Sequence, residues 1–148
     1  MRPHPKLIEA GAWLLENGHR AALTVTGGRW PKQVLGMEPV ELHHVGRTSG
    51  RSHTTLLTAP ICEEERIVLV ASKGGHPQHP DWYRNLVANP DVEIVVGDRR
   101  RSVRARTATP EEKAELWPRI VKAYSGYAGY QRNTDRDIPV VILEPRLG

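Results

Sequence analysis

Apolar positions along the chain fall into short runs separated by glycine, proline and charge. Over residues 5–18, Leu7-Ile8, Ala10-Gly11-Ala12 and Trp13-Leu14-Leu15 recur at helical spacing, with Lys6, Glu9, Glu16 and Asn17 on the remaining face. That pattern predicts a short amphipathic helix ended at Gly18. Periodicity is then lost through a Gly-, Thr-, Lys- and Pro-rich connector over residues 21–36. Strands are predicted over 40–45, 54–60 and 66–71, the last two joined by the acidic turn Glu63-Glu64-Glu65. Read in order they form a meander, with Gly46-Arg47-Thr48-Ser49-Gly50-Arg51 and Ala71-Ser72-Lys73-Gly74-Gly75 at one end.

Pro80 suits the first turn of a helix, Asp81 places a carboxylate near its positive end, and Asn89-Pro90 stops it. Two strands, 91–96 and 102–107, flank the turn Gly97-Asp98. In the second, Val103, Ala105 and Thr107 alternate with Ser102, Arg104 and Arg106, which gives one buried and one basic face. Thr109-Pro110-Glu111-Glu112 reads as a capping box opening a helix whose inward residues are Ala114, Leu116, Trp117, Ile120, Val121 and Tyr124. Pro118 predicts a kink or a break there. Tyr124, Tyr127 and Tyr130 follow at helical spacing, and a last strand spans 138–143. A chain of strands with inserted helices is mainly β (α+β) and argues for a small β-barrel or half-barrel over residues 40–148 rather than a βαβ sheet, preceded by a helix and connector arm over residues 1–39.

Composition narrows the function classes. The 148 residues suit one ordinary core, and the single cysteine, Cys62, cannot form an internal disulfide. No run approaches the ~20 apolar residues of a membrane helix. Cytoplasmic residence follows as the default, with peripheral membrane contact through the 5–18 helix as a sharper alternative to its packing on the barrel. The net charge of +4 and pI near 9.5 favour an anionic partner. Arg99, Arg100, Arg101, Arg104 and Arg106 raise a nucleic-acid reading, but no aromatic residues interleave with them as stacking platforms, so none is expected.

The candidate chemistry lies in three clusters. In Gly46–Arg51 the glycines permit close backbone approach, hydroxyls donate, and Arg47 and Arg51 bring forked charge, the parts of an anion nest. Taken alone it is a weak motif, and a solvated basic hairpin turn is the more common explanation. Ser72 and Lys73 stand at the end of an apolar strand, and Trp82, Tyr83 and Asn85 near a helix start. No histidine spacing matches a zinc site, so no metal is expected. Cys62 beside three glutamates is a poor nucleophile.

Those three clusters, in order, with Leu86, Ala88-Asn89-Pro90, Trp117-Pro118, the three tyrosines, Thr134-Asp135-Arg136, Ile138-Pro139 and Glu144-Pro145, resemble the deazaflavin-dependent nitroreductase family. The resemblance implies a split barrel that binds reduced coenzyme F420 in a cationic groove. Carried over by position, Arg47, Thr48 and Ser49 would meet its phosphate and oligoglutamate tail. His53, Thr54, Thr55, Leu56, Leu57 and Thr58 would run along the linker and ring. Val70, Ala71, Ser72 and Lys73 would hold the ring edge and phosphate side. Asp81, Trp82, Tyr83, Arg84 and Asn85 would present a helix start. Tyr127 would flank the deazaflavin, and Tyr124 and Tyr130, with Ser72, would shape the acceptor pocket; Ser72 or one of the tyrosines would polarise or protonate the acceptor. The family usually has Arg where His53 stands, and its best-known nitro-reducing member has Tyr where Thr58 stands.

The implied activity is hydride transfer from reduced F420 to a small electron-poor acceptor: a quinone, an enone or a nitroaromatic. The alternatives are FMN in place of F420, and a non-catalytic protein that sequesters deazaflavin or flavin. A homodimer is implied only by analogy with other split barrels.

Overall fold

In the computed structural model residues 37–146 are described. The helix expected over 5–18, the connector over 21–36 and nearly all of the arm over 1–39 lie outside the described residues. The elements are β1 (Glu38–Val45), β2 (Ser52–Ala59), β3 (Ile61–Cys62), β4 (Ile67–Val70), α1 (Asp81–Ala88), β5 (Asp91–Val96), β6 (Arg99–Thr107), α2 (Pro110–Ala123), α3 (Gly126–Arg132) and β7 (Val140–Pro145), with a 3-10 turn at Lys73–Gly75. The split β-barrel class expected from the sequence is what the chain forms.

All strand pairs are antiparallel, in the order β2-β1-β5-β6-β7-β4-β3. This differs from the expected meander. Pro60 has no N–H to give a ladder, so the strand expected over 54–60 ends at Ala59 and the chain restarts as β3. Yet β2 and β3 lie at opposite ends of the strand order, joined by that one residue. The connection is possible only if the sheet rolls until its edges meet, and β2 does contact β4.

Rolling leaves two apolar layers. Ile67, Leu69, Ala71, Val141 and Leu143 join Val40, Leu42, Val92, Ile94, Val103, Trp82 and Leu86 in one. The alternate residues Val68, Val70, Val140 and Ile142 join Met37, Leu116, Ile120, Tyr127 and Ile138 in the other. This explains the unbroken apolar runs of β4 and β7: both faces are covered, so period-2 alternation disappears. Each buried Leu, Ile or Val contributes roughly 1.5–3 kcal/mol.

Helix ends follow their local chemistry. Pro80 is the N-cap of α1, one position earlier than expected, and the Asn89 N–H closes the helix on the Asn85 carbonyl at 2.8 Å. The capping box of α2 forms as expected: the Glu112 N–H donates to Thr109 Oγ1 at 3.2 Å, and the Thr109 N–H to Glu112 Oε1 at 3.0 Å. Helix α2 runs through Pro118 without a break. Both Pro118 and Ala114 are exposed, so water can reach the carbonyl that proline leaves unpaired. Leu116 and Ile120 face inward as expected, and Trp117, Val121 and Tyr124 are half-buried. Thr107, expected on the buried face of β6, is exposed. Lys113 Nζ ties α2 to the approach of β7, donating to Gln131 Oε1 at 3.0 Å and to the Ile138 carbonyl at 2.7 Å.

Two glycines separate conformational from steric demand. Gly97, at φ +64°, turns the β5–β6 hairpin with open space around an added Cβ. Gly75, at φ +83°, would bring that Cβ to 2.7 Å from the Tyr130 carbonyl oxygen. Gly97→Ala should therefore cost about 1–2 kcal/mol from backbone strain alone. Gly75→Ala should cost about 2 kcal/mol more through the clash with α3. Urea denaturation of both variants checks the order, and equal losses would show that α3 yields freely.

Candidate functional site

The rolled sheet places the β1–β2 loop, the 3-10 turn and the start of α1 around one groove of about 480 Å³. Its walls are His44, Gly46, Arg47, Thr48, Ser49, His53, Thr54, Thr55, Lys73, Pro80, Asp81, Trp82 and Asn85. Cations stand on two sides of it, hydroxyls line one wall, and a helix N-terminus opens onto it. The side chains of Ser49 and His53 close on the Gly46 backbone, where an added Cβ would lie 2.4 Å from Ser49 Oγ and 3.1 Å from His53 Nε2.

A hydrogen-bonded chain crosses the groove floor. Asn85, 4% exposed, accepts at Oδ1 from the Arg47 backbone N–H at 3.1 Å and from Arg47 Nη1 at 2.9 Å. Its Nδ2 lies 3.0 Å from His44 Nδ1, and His44 Nε2 lies 2.8 Å from Thr55 Oγ1. Arg47 Nη2 also reaches Asp81 Oδ1 at 3.3 Å. The His44 ring stacks on His53 with centroids 5.5 Å apart. Burial, then the neighbouring His53 and His43, push the His44 pKa down to about 4; Asp81 opposes them.

The opposite wall is held from behind by Arg136. Its Nε donates to the His76 carbonyl at 2.8 Å, Nη1 to the Ala71 carbonyl at 3.1 Å, and Nη2 to the Ser72 carbonyl at 2.7 Å. Nη1 also lies 2.9 Å from His79 Nδ1. Between these anchored carbonyls Lys73 adopts φ +45°, the only positive φ of a non-glycine among the described residues. Strain of this kind is kept where the surroundings over-determine it, commonly at functional sites. Among the described residues, Lys73 has no carboxylate at ion-pair distance. No group of three or more His, Cys, Asp and Glu among them is gathered for a metal.

The groove thus gathers ten of the residues singled out from the sequence: Arg47, Thr48, Ser49, His53, Thr54, Thr55, Lys73, Asp81, Trp82 and Asn85. It does not gather the others. Tyr83 turns away and its hydroxyl lies 2.8 Å from Thr107 Oγ1, because Trp82 and Asn85 take the inward face of α1. Arg84 is exposed, and Leu56, Val70 and Ala71 are core residues. Leu57 is half-buried against the first apolar layer. Ser72 is buried beside Lys73, outside the groove lining.

The tyrosines form a separate cluster. Tyr124, which ends α2, lies with Tyr127 and Tyr130 of α3 at centroid separations of 5.3 to 6.2 Å, mutually edge-on or tilted. They meet by packing of two elements, not by sharing the face of one helix. Tyr127 is 4% exposed; its hydroxyl donates to Met37 Sδ at 3.6 Å, and Thr58 hydrogen-bonds it. Burial pushes the Tyr127 pKa up to about 12, and burial with the adjacent Tyr124 raises that of Tyr130. The cluster sits behind the 3-10 turn, against which α3 packs.

His44 was missed as a site residue. The signal was available: Val40, Leu42 and His44 alternate on one face of β1, so a polar side chain was bound for the buried side. The basic stretch of β6, in contrast, is compensated. Arg99 pairs with Glu64, Arg100 with Glu93, Arg104 with Asp91, and Arg106 with both Glu112 and Glu144. The Cys62 thiol is pushed up, first by burial and then by Glu38.

Residues 17–145 match the F420H(2)-dependent quinone reductase family. An F420H(2)-dependent quinone reductase of Mycobacterium tuberculosis is 40% identical over 132 residues, covering 86% of this chain and 88% of that one. Among solved structures, an F420-H2 dependent reductase superposes with TM-score 0.65 and 41% identity, over 72% of this chain and 94% of its own. A second, described as a domain-swapped dimer, has TM-score 0.66 and 37% identity, over 91% and 99%.

The His44 environment sets a stability profile. The unfolded chain takes up a proton near the ordinary value of 6.5, whereas the folded chain resists until about 4. The stabilisation from the neutral ring is therefore complete above pH 6.5 and is lost as pH falls to 4, by up to about 3 kcal/mol. Urea denaturation of wild type and His44→Gln at pH 7 and pH 4.5 checks it: the variant should lose less over that interval, and parallel losses would contradict the assignment.

Proposed function

The chain belongs to the F420H(2)-dependent quinone reductase family, and on that premise we propose that the groove between Arg47 and Lys73 holds the anionic end of coenzyme F420 while the tyrosine side receives a quinone. The protein is an F420-dependent oxidoreductase that passes a hydride to an electron-poor acceptor. The match to this family agrees with the F420-dependent reductase expected from the resemblance and points to quinones rather than nitro compounds. Quinones are accordingly the acceptors we favour, with enones and nitroaromatics as secondary acceptors.

The donor set fits such a coenzyme. A phosphate and carboxylate tail needs separated cations with backbone and hydroxyl donors between them, and the groove offers Arg47, Lys73, Thr48, Ser49, Thr54 and Thr55 in that relation. The observation that carries the reading is Lys73: a strained backbone, anchored by Arg136, aims a cation with no carboxylate partner among the described residues at the groove. Reduced F420, when bound, supplies the hydride. The chain binds and orients it, and the buried wall behind excludes water. At neutral pH Tyr127 stays protonated, as its raised pKa requires, and Tyr130 likewise. The half-buried Tyr130 can therefore donate a hydrogen bond to an acceptor carbonyl, whereas the Tyr127 hydroxyl is buried and already donates to Met37 Sδ. Ser72, which precedes Lys73 at the start of the 3-10 turn, is the further candidate for that role.

FMN in place of F420, and sequestration without turnover, are the competing readings; the coenzyme that copurifies and turnover of a quinone panel separate them. The solved relative described as a domain-swapped dimer supports pairing of two copies, which light scattering would test. Among the described residues no helix is long and apolar enough to cross a membrane.

Two measurements test the assignment. Steady-state oxidation of reduced F420 should be faster with menadione than with a cyclohexenone or a nitroimidazole. Arg47→Ala and Lys73→Ala should each weaken coenzyme binding roughly tenfold, about 1.4 kcal/mol, whereas Arg101→Ala on the distant hairpin should change it less than twofold. Equal effects from all three, read by fluorescence titration, would place the groove elsewhere.

A further inference from the structure

One buried polar residue of the groove has no part in the reading above. His44 is 5% exposed, on the inward face of β1, between Thr55 of β2 and Asn85 of α1. Its surroundings fix both its proton and the orientation of its neighbour. Two Arg47 donors, the backbone N–H at 3.1 Å and Nη1 at 2.9 Å, require the oxygen of the Asn85 carboxamide. The nitrogen Nδ2 must then face His44 Nδ1, 3.0 Å away. Since Nδ2 only donates, Nδ1 is bare, and the ring carries its proton on Nε2, which donates to Thr55 Oγ1 at 2.8 Å.

We propose that His44 is a positioning residue for ligand binding: its neutral ring, held as the Nε2–H tautomer between Thr55 and Asn85, fixes the Asn85 carboxamide and so holds the Arg47 loop at the mouth of the groove. The inference rests on the groove being the coenzyme site. The reversed carboxamide would set Nδ2 against both Arg47 donors and its oxygen against the bare Nδ1, so three hydrogen bonds stand or fall together. The groups facing His44 are His43 on its own strand, His53 and Thr55 on β2, and Asp81 and Asn85 on α1, with Arg47 of the loop bonded to Asn85 in turn. The two histidines oppose a charge on the ring and Asp81 favours one; burial decides for the neutral form. A ring that merely filled space could be Phe, whereas this role needs an acceptor on one side and a donor on the other. Gln supplies both.

The test uses the full chain with His44→Phe and His44→Gln. Coenzyme F420 affinity should fall about tenfold in the Phe variant and stay within threefold of wild type in the Gln variant. In an Arg47→Ala background the Phe substitution should cost less than twofold, because the loop it positions has already lost its guanidinium. In the ligand-free protein, hydrogen exchange at the Arg47 amide should be about tenfold faster in the Phe variant and near wild type in the Gln variant. Wild-type imidazole nitrogen shifts at pH 7 should show Nδ1 bare and Nε2 protonated, a readout that needs no variant to fold. Wild-type affinity in the Phe variant, additive losses with Arg47→Ala, unchanged Arg47 exchange or the opposite tautomer would each overturn the proposal. If wild type itself does not bind F420, the coenzyme reading fails on its own, and the exchange and tautomer measurements still decide the role of His44.

Discussion

Pro60 alone joins two strands that lie at opposite edges of the sheet, and this covalent constraint makes the sheet roll. A flat seven-stranded sheet would hold β2 and β3 several strand spacings apart, at about 4.8 Å each, far beyond the reach of one residue. Once the sheet rolls, segments distant in sequence arrive at one rim: the loop after β1, the turn after β4 and the start of α1. The same rolling covers both faces of β4 and β7, so the strand that leads into the Lys73 turn is buried on both sides. Packing and site geometry are therefore consequences of a single closure, with the site at the place where the closed sheet meets a helix.

Charge is distributed unevenly over that frame. The arginines of β6 are the most conspicuous basic feature of the chain, yet their partners are carboxylates of the Glu63-Glu64-Glu65 turn, of β5, of α2 and of β7. Exposed pairs of this kind contribute little stability each, but they cancel much of the local field. The groove has fewer cations and fewer counter-charges: Arg47 shares Asp81 and Asn85, and Lys73 has no acidic partner among the described residues. Net charge counted from composition cannot distinguish these two settings. What distinguishes them is the cross-strand register, which places Glu93 opposite Ser102 and beside the arginines on both of its flanks.

This bears on what was legible in the sequence. Local chemistry was: the capping box at Thr109 and Glu112, the Gly97-Asp98 hairpin, and most strand positions need only short-range rules, and all appear. The anion-ready residues were also legible as types, but only the succession of three such clusters along the chain set them apart from plain basic turns. Strand order was not, since consecutive strands usually pair and nothing local announces that Pro60 spans a rolled sheet. The α1 contribution was half legible: helical spacing allows Trp82 and Asn85, or Tyr83 and Arg84, to face inward, and only the packing of α1 on β1 and β6 selects the former. His44 was legible by alternation, but its value depends on Asn85 arriving from 41 residues away.

Arg136 shows how a residue outside the groove can set its chemistry. Burying a guanidinium is costly, and this one is half-buried with its pKa lowered by desolvation. It is held by carbonyls, three of them from the segment that surrounds Lys73. Each carbonyl dipole partly replaces lost hydration, and together they fix the backbone on both sides of a residue that would otherwise relax from φ +45°. Gly74 and Gly75, both at positive φ, continue the turn at no such penalty and bring it against the α3 backbone at Tyr130. A strained lysine, a half-buried arginine and a tyrosine-bearing helix thus meet at one turn, which Arg136 holds through its carbonyls and against which the α3 backbone closes at Tyr130.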